Sequence, residues 1–364
     1  MNKNNKTIII TGGGTLGHIF PFLPIVYKIY KNYNLYYIGT KKGIEEQYFK
    51  NNDLNKYFKN CYYLDMIGIN RQNIFKNFNM LIKYFKVKRK INCIYKELDP
   101  DLIIGMGGYI SGVCINIGVK RKIKTIIHEQ NAVLGLANKL VSKKVNKLLL
   151  SYDIKNLNLK NVAIIGNPRY SYVKENYSNN EQNTILIVGG SLGSKFINDL
   201  IVDNNEYFNF DNYKIKLVVG KKYYENNINK IKNINNKNLI IYDFIDDLIK
   251  EISKATLVVS RSGATTISEL MALRKPSILI PSPNVVDNHQ YYNALTIYNN
   301  GCCSMIEESE LTKEKLYNNI IEIITTYEYK NKITMNIYKL YNNDPLNDFI
   351  KIIKEEIWLN LTNI

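Results

Sequence analysis

Short apolar runs recur along the chain. Each is followed by a glycine-rich or polar turn and then by residues at helical spacing. In the first half the runs fall at 7–10, 35–38, 61–67, 101–104, 125–127 and 162–166. In the second half they fall at 184–188, 214–219, 239–242, 256–260 and 276–281. Uninterrupted apolar runs are what a parallel strand buried on both faces requires, and alternation with helices predicts doubly wound α/β sheets. Helical periods are clearest from Ile19 onward and over 74–91, 264–273 and 345–361. The strand–glycine loop–helix pattern near the start returns at 184–198, which predicts two similar halves.

Length agrees, because 364 residues exceed what one core normally holds. The hydrophobic fraction of 45% and charged fraction of 22% are those of a globular protein. The 49 Lys+Arg against 32 Asp+Glu leave a formal net charge of +17. A nucleic-acid partner is one reading of that excess. A chain crowded with Asn, Lys, Ile and Tyr favours compositional drift for most of it, with attraction to anionic lipid for part. No nucleic-acid partner is expected. Five cysteines without C-x-x-C or ligand spacing suggest reduced thiols in a cytosolic setting. No signal peptide and no apolar run of about 18 residues is seen, so nothing is expected to span a bilayer.

The candidate chemistry sits in the turns. Residues 11–18, TGGGTLGH, place a glycine loop after the first strand, where backbone can approach a ligand. His18 is expected at the start of the helix that follows, where the positive end of the dipole favours a neutral, proton-accepting ring. A loop-bracing histidine is the alternative. Residues 105–109, GMGGY, form a second glycine loop whose N–H groups suit a diphosphate. His128-Glu129-Gln130-Asn131 follow a buried strand directly, so they belong at its carboxyl end rather than in the core. Residues 189–193, GGSLG, are a third glycine loop, and Ser191 there can donate to a phosphate. Arg261-Ser262-Gly263 turn into a helix whose free N–H groups, at Ala264, Thr265, Thr266, Ile267 and Ser268, face the crevice where phosphates bind. Glu269, more than a turn further, can accept from both hydroxyls of a ribose. His289 and Gln290 supply groups that read sugar hydroxyls. Asp246-Asp247 follow no D-x-D pattern and read as helix N-terminal carboxylates, so no metal is expected. Over 74–91, Phe75, Phe78, Leu81, Ile82 and Phe85 recur among Lys and Arg. The stripe packs on a sheet or meets a membrane surface.

Taken together, GGGTLGH, GMGGY, HEQN, GNP, GGSLG, SRSGATTISE and DNHQYYNA, in that order, resemble the MurG family. The resemblance covers nearly the whole chain. It implies α/β architecture of the GT-B kind, two doubly wound Rossmann-like domains facing a cleft. Residues 1–166, completed by a helix at about 345–364, would bind acceptor and membrane; 167–183 would be a hinge or linker; 184–344 would bind UDP-GlcNAc. The implied reaction is transfer of GlcNAc to the C4 hydroxyl of MurNAc in lipid I, inverting, without a metal or any cofactor, for peptidoglycan synthesis. His18 is the candidate base and Glu129 its rival. Donor contacts would come from Thr15, Leu16, Gly17, Asn131, Arg169, Ser191, the backbone of Ile245, residues 264–268, Glu269, His289 and Gln290. Acceptor contacts would come from Gly13, Gly14, Gly107, Gly108 and Tyr109. The partners implied are undecaprenyl-linked lipid I, an anionic membrane surface at the cytoplasmic face of the cell membrane, held peripherally, and candidate cell-wall synthesis proteins. Two departures stand out: Leu16 occupies a position where the family usually has glycine, and Arg169 follows Pro168 directly, where the family usually leaves one residue between. Another lipid-directed GT-B transferase, a UDP-GlcNAc epimerase or a non-catalytic nucleotide-sugar-binding relative remain the alternatives.

Overall fold

The computed structural model describes residues 5–66, 77–155, 157–190, 193–341 and 343–358, the side chains of 77–81 excepted. The chain divides into two compact units, Met1–Arg169 with Asp344–Ile364, and Tyr170–Asn343.

The first unit is built on seven parallel strands: β1 (Thr7–Thr11), β2 (Asn34–Thr40), β3 (Asn60–Leu64), β4 (Leu102–Gly105), β5 (Lys124–Glu129), β6 (Lys147–Leu150) and β7 (Val162–Ile164). Their order is β3-β2-β1-β4-β5-β6-β7. The order reverses direction between β1 and β4, and in such sheets ligands bind at that switch point. Thr11 pairs with Gly105, and Gly105 with Ile127. This register brings residues 12–14, 106–108 and 128–131 to one edge. Helices α1 (Leu23–Ile29), α2 (Ile44–Asn51), α3 (Asn77–Leu98), α4 (Tyr109–Lys120) and α5 (Leu136–Val141) connect the strands. Ile8 and Ile10 face one core cluster and Ile9 the other, so alternation along β1 fills both faces of the sheet.

α3 bears on the two readings of the stripe at 74–91. Its core face is Val87, Ile91, Ile94 and Tyr95, whereas Ile82 and Phe85 point outward, 47% and 62% exposed. The predicted apolar stripe therefore does not pack on the sheet at these two positions. Phe75 lies outside the described residues, as do the side chains of Phe78 and Leu81.

The expected linker at 167–183 contains a helix. Residues Pro168–Asn176 form α6. Proline at the first helical position loses no hydrogen bond and arrives with helical φ. The polar stretch that follows is tied down: Asn180 N–H and Gln182 N–H donate to Ser253 O and Lys254 O. Lys275, fully buried, donates to Asn179 Oδ1, Ser253 O and Ala255 O, and burial lowers its pKa to about 8.

The second unit carries six parallel strands: β8 (Thr184–Val188), β9 (Lys214–Val218), β10 (Leu239–Tyr242), β11 (Leu257–Ser260), β12 (Ser277–Leu279) and β13 (Ser304–Met305). Their order, β10-β9-β8-β11-β12-β13, again reverses direction, here between β8 and β11. Ser260 pairs with Val188 on one side and Leu279 on the other, which aligns the turns after β8, β11 and β12. The helices are α7 (Lys195–Asp203), α8 (Lys221–Asn226), α9 (Ile228–Lys232), α10 (Leu248–Lys254), α11 (Ala264–Ala272), α12 (His289–Asn299), α13 (Lys313–Thr325) and α14 (Tyr327–Leu340). β6 and β13 were not anticipated from the apolar runs.

α15 (Pro345–Trp358) returns to the first unit. Leu346, Phe349, Ile353 and Ile357, at helical spacing, are all buried in the cluster that contains Ile8, Ile10 and the apolar face of α1. Among the described residues no helix is long and apolar enough to cross a membrane.

Candidate active site

In the first unit the loop after β1 is braced from beneath. Tyr37, fully buried, donates its hydroxyl to Gly12 O at 2.6 Å. Glu45, also fully buried, accepts from Gly14 N–H at 3.2 Å, from Thr40 N–H at 2.8 Å and from the Thr40 hydroxyl. Gly14 has φ +87°, which glycine adopts without strain.

His18 is not at a helix N-terminus. It closes a 3₁₀ turn, Leu16–His18, and α1 begins only at Leu23. The dipole argument for a neutral ring therefore does not apply here. Its ring instead lies against the second glycine loop, where a Cβ at Gly107 would come within 2.6 Å of His18 Nδ1. A Cβ at Gly108 would collide with Gly13 O, so the two glycine loops are in direct contact. Leu16 sits in the 3₁₀ turn on ordinary backbone and packs against the core, so this position has no need of positive φ. Thr15 is extended and Gly17 is half-buried within the turn. α4 starts at Tyr109, immediately after Gly108, and Tyr109 is 37% exposed. The first-turn N–H groups of α4 point out at the switch point, since a helix leaves them without internal partners.

The HEQN segment is mostly self-bound. His128 is fully buried between Gly166 O (3.0 Å from Nε2) and Gln130 Nε2 (3.1 Å from Nδ1), and burial lowers its pKa to about 4. Gln130 donates to Met106 O at 3.0 Å, linking this segment to the second glycine loop. Glu129 receives four N–H donors: Asn131 N–H and Nδ2 on Oε1, and Gly135 N–H and Asn138 Nδ2 on Oε2. A carboxylate offers about four lone-pair directions, and Glu129 spends them on its own loop. Arg169 stacks its guanidinium on the Phe20 ring, 5.0 Å from the centroid, beside the His18 turn.

In the second unit Ser191 lies outside the described residues. Ser194, which caps α7, accepts from Ile197 N–H and from Arg261 at 2.7 Å. Arg261 also donates to Ile280 O and Pro281 O and forms an ion pair with Glu308. This buried cation joins the turns after β8, β11 and β12; reading residues 261–263 only as a turn missed it. α11 starts after Gly263. The first-turn N–H groups of Ala264, Thr265 and Thr266 have no helical partners. Among the described residues Thr265 Oγ1 is buried without a hydrogen-bond partner. Two further expected donor residues have these groups engaged within the helix: Ile267 gives its N–H to Gly263 O and its side chain to the core, and Ser268 Oγ donates to Ala264 O. Glu269 is buried, 6% exposed. Gln290 accepts from Ser282 N–H on Oε1 and from the Ser262 hydroxyl on its backbone carbonyl. His289 lies 2.8 Å from Val286 O, beside Asp287 and Asn288 in left-handed conformation. Ile245 is in the coil before α10, which Asp247 caps through Lys250 N–H. A cavity of about 330 Å³ at this edge is lined by Phe196, Ser282, Asn288, Tyr291 and Glu307. Among the described residues no His, Cys, Asp and Glu gather as a metal site.

Two doubly wound parallel units with glycine loops at their carboxyl edges define the GT-B class of fold. Models of the glycosyltransferase family 28 N-terminal and C-terminal domains match residues 8–150 and 184–344. The UDP-N-acetylglucosamine--N-acetylmuramyl-(pentapeptide) pyrophosphoryl-undecaprenol N-acetylglucosamine transferase of Bacillus pumilus is 33% identical over 363 residues, covering 96% of this chain and 98% of that protein. The Lactobacillus acidophilus protein of the same name is 33% identical over 368 residues, covering 96% and 99%. The chain belongs to the MurG family of these transferases. Among solved structures, Acinetobacter baumannii MurG superposes with a TM-score of 0.74 at 24% identity, covering 96% of this chain and 99% of that one. A UDP-N-acetylglucosamine 2-epimerase superposes at 0.68 with 12% identity, covering 97% and 96%, and shares the fold.

Proposed function

We infer that the protein moves N-acetylglucosamine from UDP-GlcNAc to the C4 hydroxyl of the N-acetylmuramic acid in lipid I, giving lipid II for peptidoglycan synthesis. The observation that carries this is near-complete coverage by the family's transferases. The acceptor hydroxyl attacks the anomeric carbon as UDP leaves from the opposite face, so the configuration inverts in one displacement.

His18 takes the hydroxyl proton. It is favoured over Glu129 because the Glu129 oxygens are occupied by four internal donors. Glu129 holds Asn131 in place for the donor sugar. Gly13, Gly107, Gly108 and Tyr109 receive the acceptor, and the N-terminus of α4 receives its diphosphate. Gly14 contributes shape rather than an amide, since its N–H goes to Glu45. On the donor side the N–H groups of Ala264, Thr265 and Thr266, with the Thr265 hydroxyl, Ser191 and Arg169, meet the leaving diphosphate without a metal, as preorganised donors do. Glu269 holds the ribose, Ile245 the uracil through its backbone, and His289 and Gln290 the sugar. Thr15, Leu16 and Gly17 are further donor contacts in this reading.

The outer face of α3 offers Ile82 and Phe85 with exposed Lys86, Arg89 and Lys90. That face suits an anionic membrane surface, at about 1 kcal/mol per basic residue. It fits a protein held peripherally at the cytoplasmic face.

The test is purified protein with UDP-GlcNAc and a short-chain lipid I analogue, product followed by mass. Gain of one N-acetylhexosamine by the analogue is expected. Donor binding with no transfer to it would overturn the acceptor assignment. His18→Ala should keep donor affinity and lose turnover, and Glu269→Ala should lose donor affinity. Normal values in either variant remove that residue from its role.

A further inference from the structure

Glu45 is a fully buried carboxylate that the reaction as described above leaves without a role. Burying a carboxylate is costly unless every oxygen is satisfied. Here Oε1 accepts from Thr40 N–H and the Thr40 hydroxyl, and Oε2 accepts from Gly14 N–H. An apolar side chain would fill the space at less cost.

The clearances around Glu45 show what it controls. A Cβ at Gly13 or at Gly43 would strike its carboxylate. Gly43 has φ −77°, a conformation open to alanine, so what demands glycine there is the Glu45 carboxylate together with the Thr40 hydroxyl bound to it. Above it, Gly13 O touches Gly108, and Gly107 touches the His18 ring. A continuous run of contacts therefore leads from Glu45 through Gly13 and Gly14 to both glycine loops and to His18.

We propose that Glu45 is a positioning residue for the acceptor: through Gly14 N–H it sets the height of the first glycine loop, and with it the second loop and His18. The proposal rests on reading these loops and His18 as the acceptor site. Glu45 touches neither substrate, so its loss is felt only through geometry. A displacement near 1 Å at the reacting groups can cost roughly 10²-fold in rate.

Glu45→Gln is the test variant. It is isosteric, but in either orientation an NH₂ group faces an N–H donor, Gly14 or Thr40. Steady-state kinetics with UDP-GlcNAc and a short-chain lipid I analogue, donor binding by calorimetry, and thermal unfolding are measured together. The expected result is kcat/KM for the acceptor down roughly 10²-fold, with donor affinity unchanged. A merely structural role would lower both together or neither. Gly43→Ala, which pushes on the carboxylate from outside the loops, should give a smaller loss of the same kind, and it decides the matter if Glu45→Gln does not fold. Normal acceptor kinetics in a folded Glu45→Gln, or in Gly43→Ala, overturn the proposal. Full turnover in His18→Ala would instead overturn the reading of the acceptor site beneath it.

Discussion

Gly108 shows how little room the first unit leaves. It has φ +83° and no space for a Cβ against Gly13 O. Gly108→Ala should lower turnover by roughly 10²-fold, because the collision falls between the two glycine loops. Gly14→Ala has open space and only its φ of +87° to overcome, a strain of about 1–2 kcal/mol, so its loss should be smaller. Comparing kcat of the two variants checks this order. At this scale the sequence was legible wherever a short string carries its own chemistry, as GGG, GMGGY and HEQN do. It was not legible where a residue acts on partners far along the chain. Glu45 meets Gly14 across 31 positions, and Arg261 meets Ser194 across 67. Leu16 was the opposite case: it departs from the family's usual glycine, but the 3₁₀ turn takes a leucine on ordinary backbone.

Among the elements, α15 sets single residues deep in the first core. Phe349 is fully buried against the first core and lies 5.7 Å, ring to ring, from His128. Phe349→Ala should destabilise the first unit by about 3–5 kcal/mol, read by urea unfolding. α3 makes the contrasting prediction. Replacing Ile82 and Phe85 together with serine removes exposed apolar surface and should leave stability nearly unchanged. Binding to vesicles of anionic phospholipid should fall, and unaltered binding would take this face out of membrane contact. Strands buried on both faces were legible as apolar runs, and α15 as a helical period. β6, with one Lys and three Leu, gave no β-branched signal, and two-residue β13 is too short to carry one. α6 was hidden by its polar composition, because proline at its start and the buried Tyr170 and Val173 decide the matter rather than the average.

For the molecule as a whole, the charge of +17 describes its surface, and acid sensitivity has a more local source. His128 is held neutral down to about pH 4, against an ordinary value of 6.5. The unfolded chain therefore takes up a proton below pH 6.5 that the folded one refuses. His128 thus contributes its full stabilisation above that pH and loses it as pH falls toward 4, about 3 kcal/mol in all. Urea unfolding across this window should show that slope, and His128→Asn should flatten it. The two-unit plan and its glycine-looped edges could be read from the repeated strand–loop–helix pattern. The dependence of the first core on a helix from beyond the second unit could be read only by resemblance.

That dependence sets a timetable for the nascent chain. The first unit leaves the ribosome with a groove over Ile8, Ile10 and α1 that Leu346, Phe349, Ile353 and Ile357 later fill. All of Tyr170–Asn343 must be translated first. At roughly 5–20 residues per second that is a wait on the order of tens of seconds with apolar surface uncovered, long enough for chaperones to engage it. A stop codon placed just before Pro345 would make the wait permanent. It would leave the first unit open to aggregation while the second unit, synthesised in between, lacked none of its own residues.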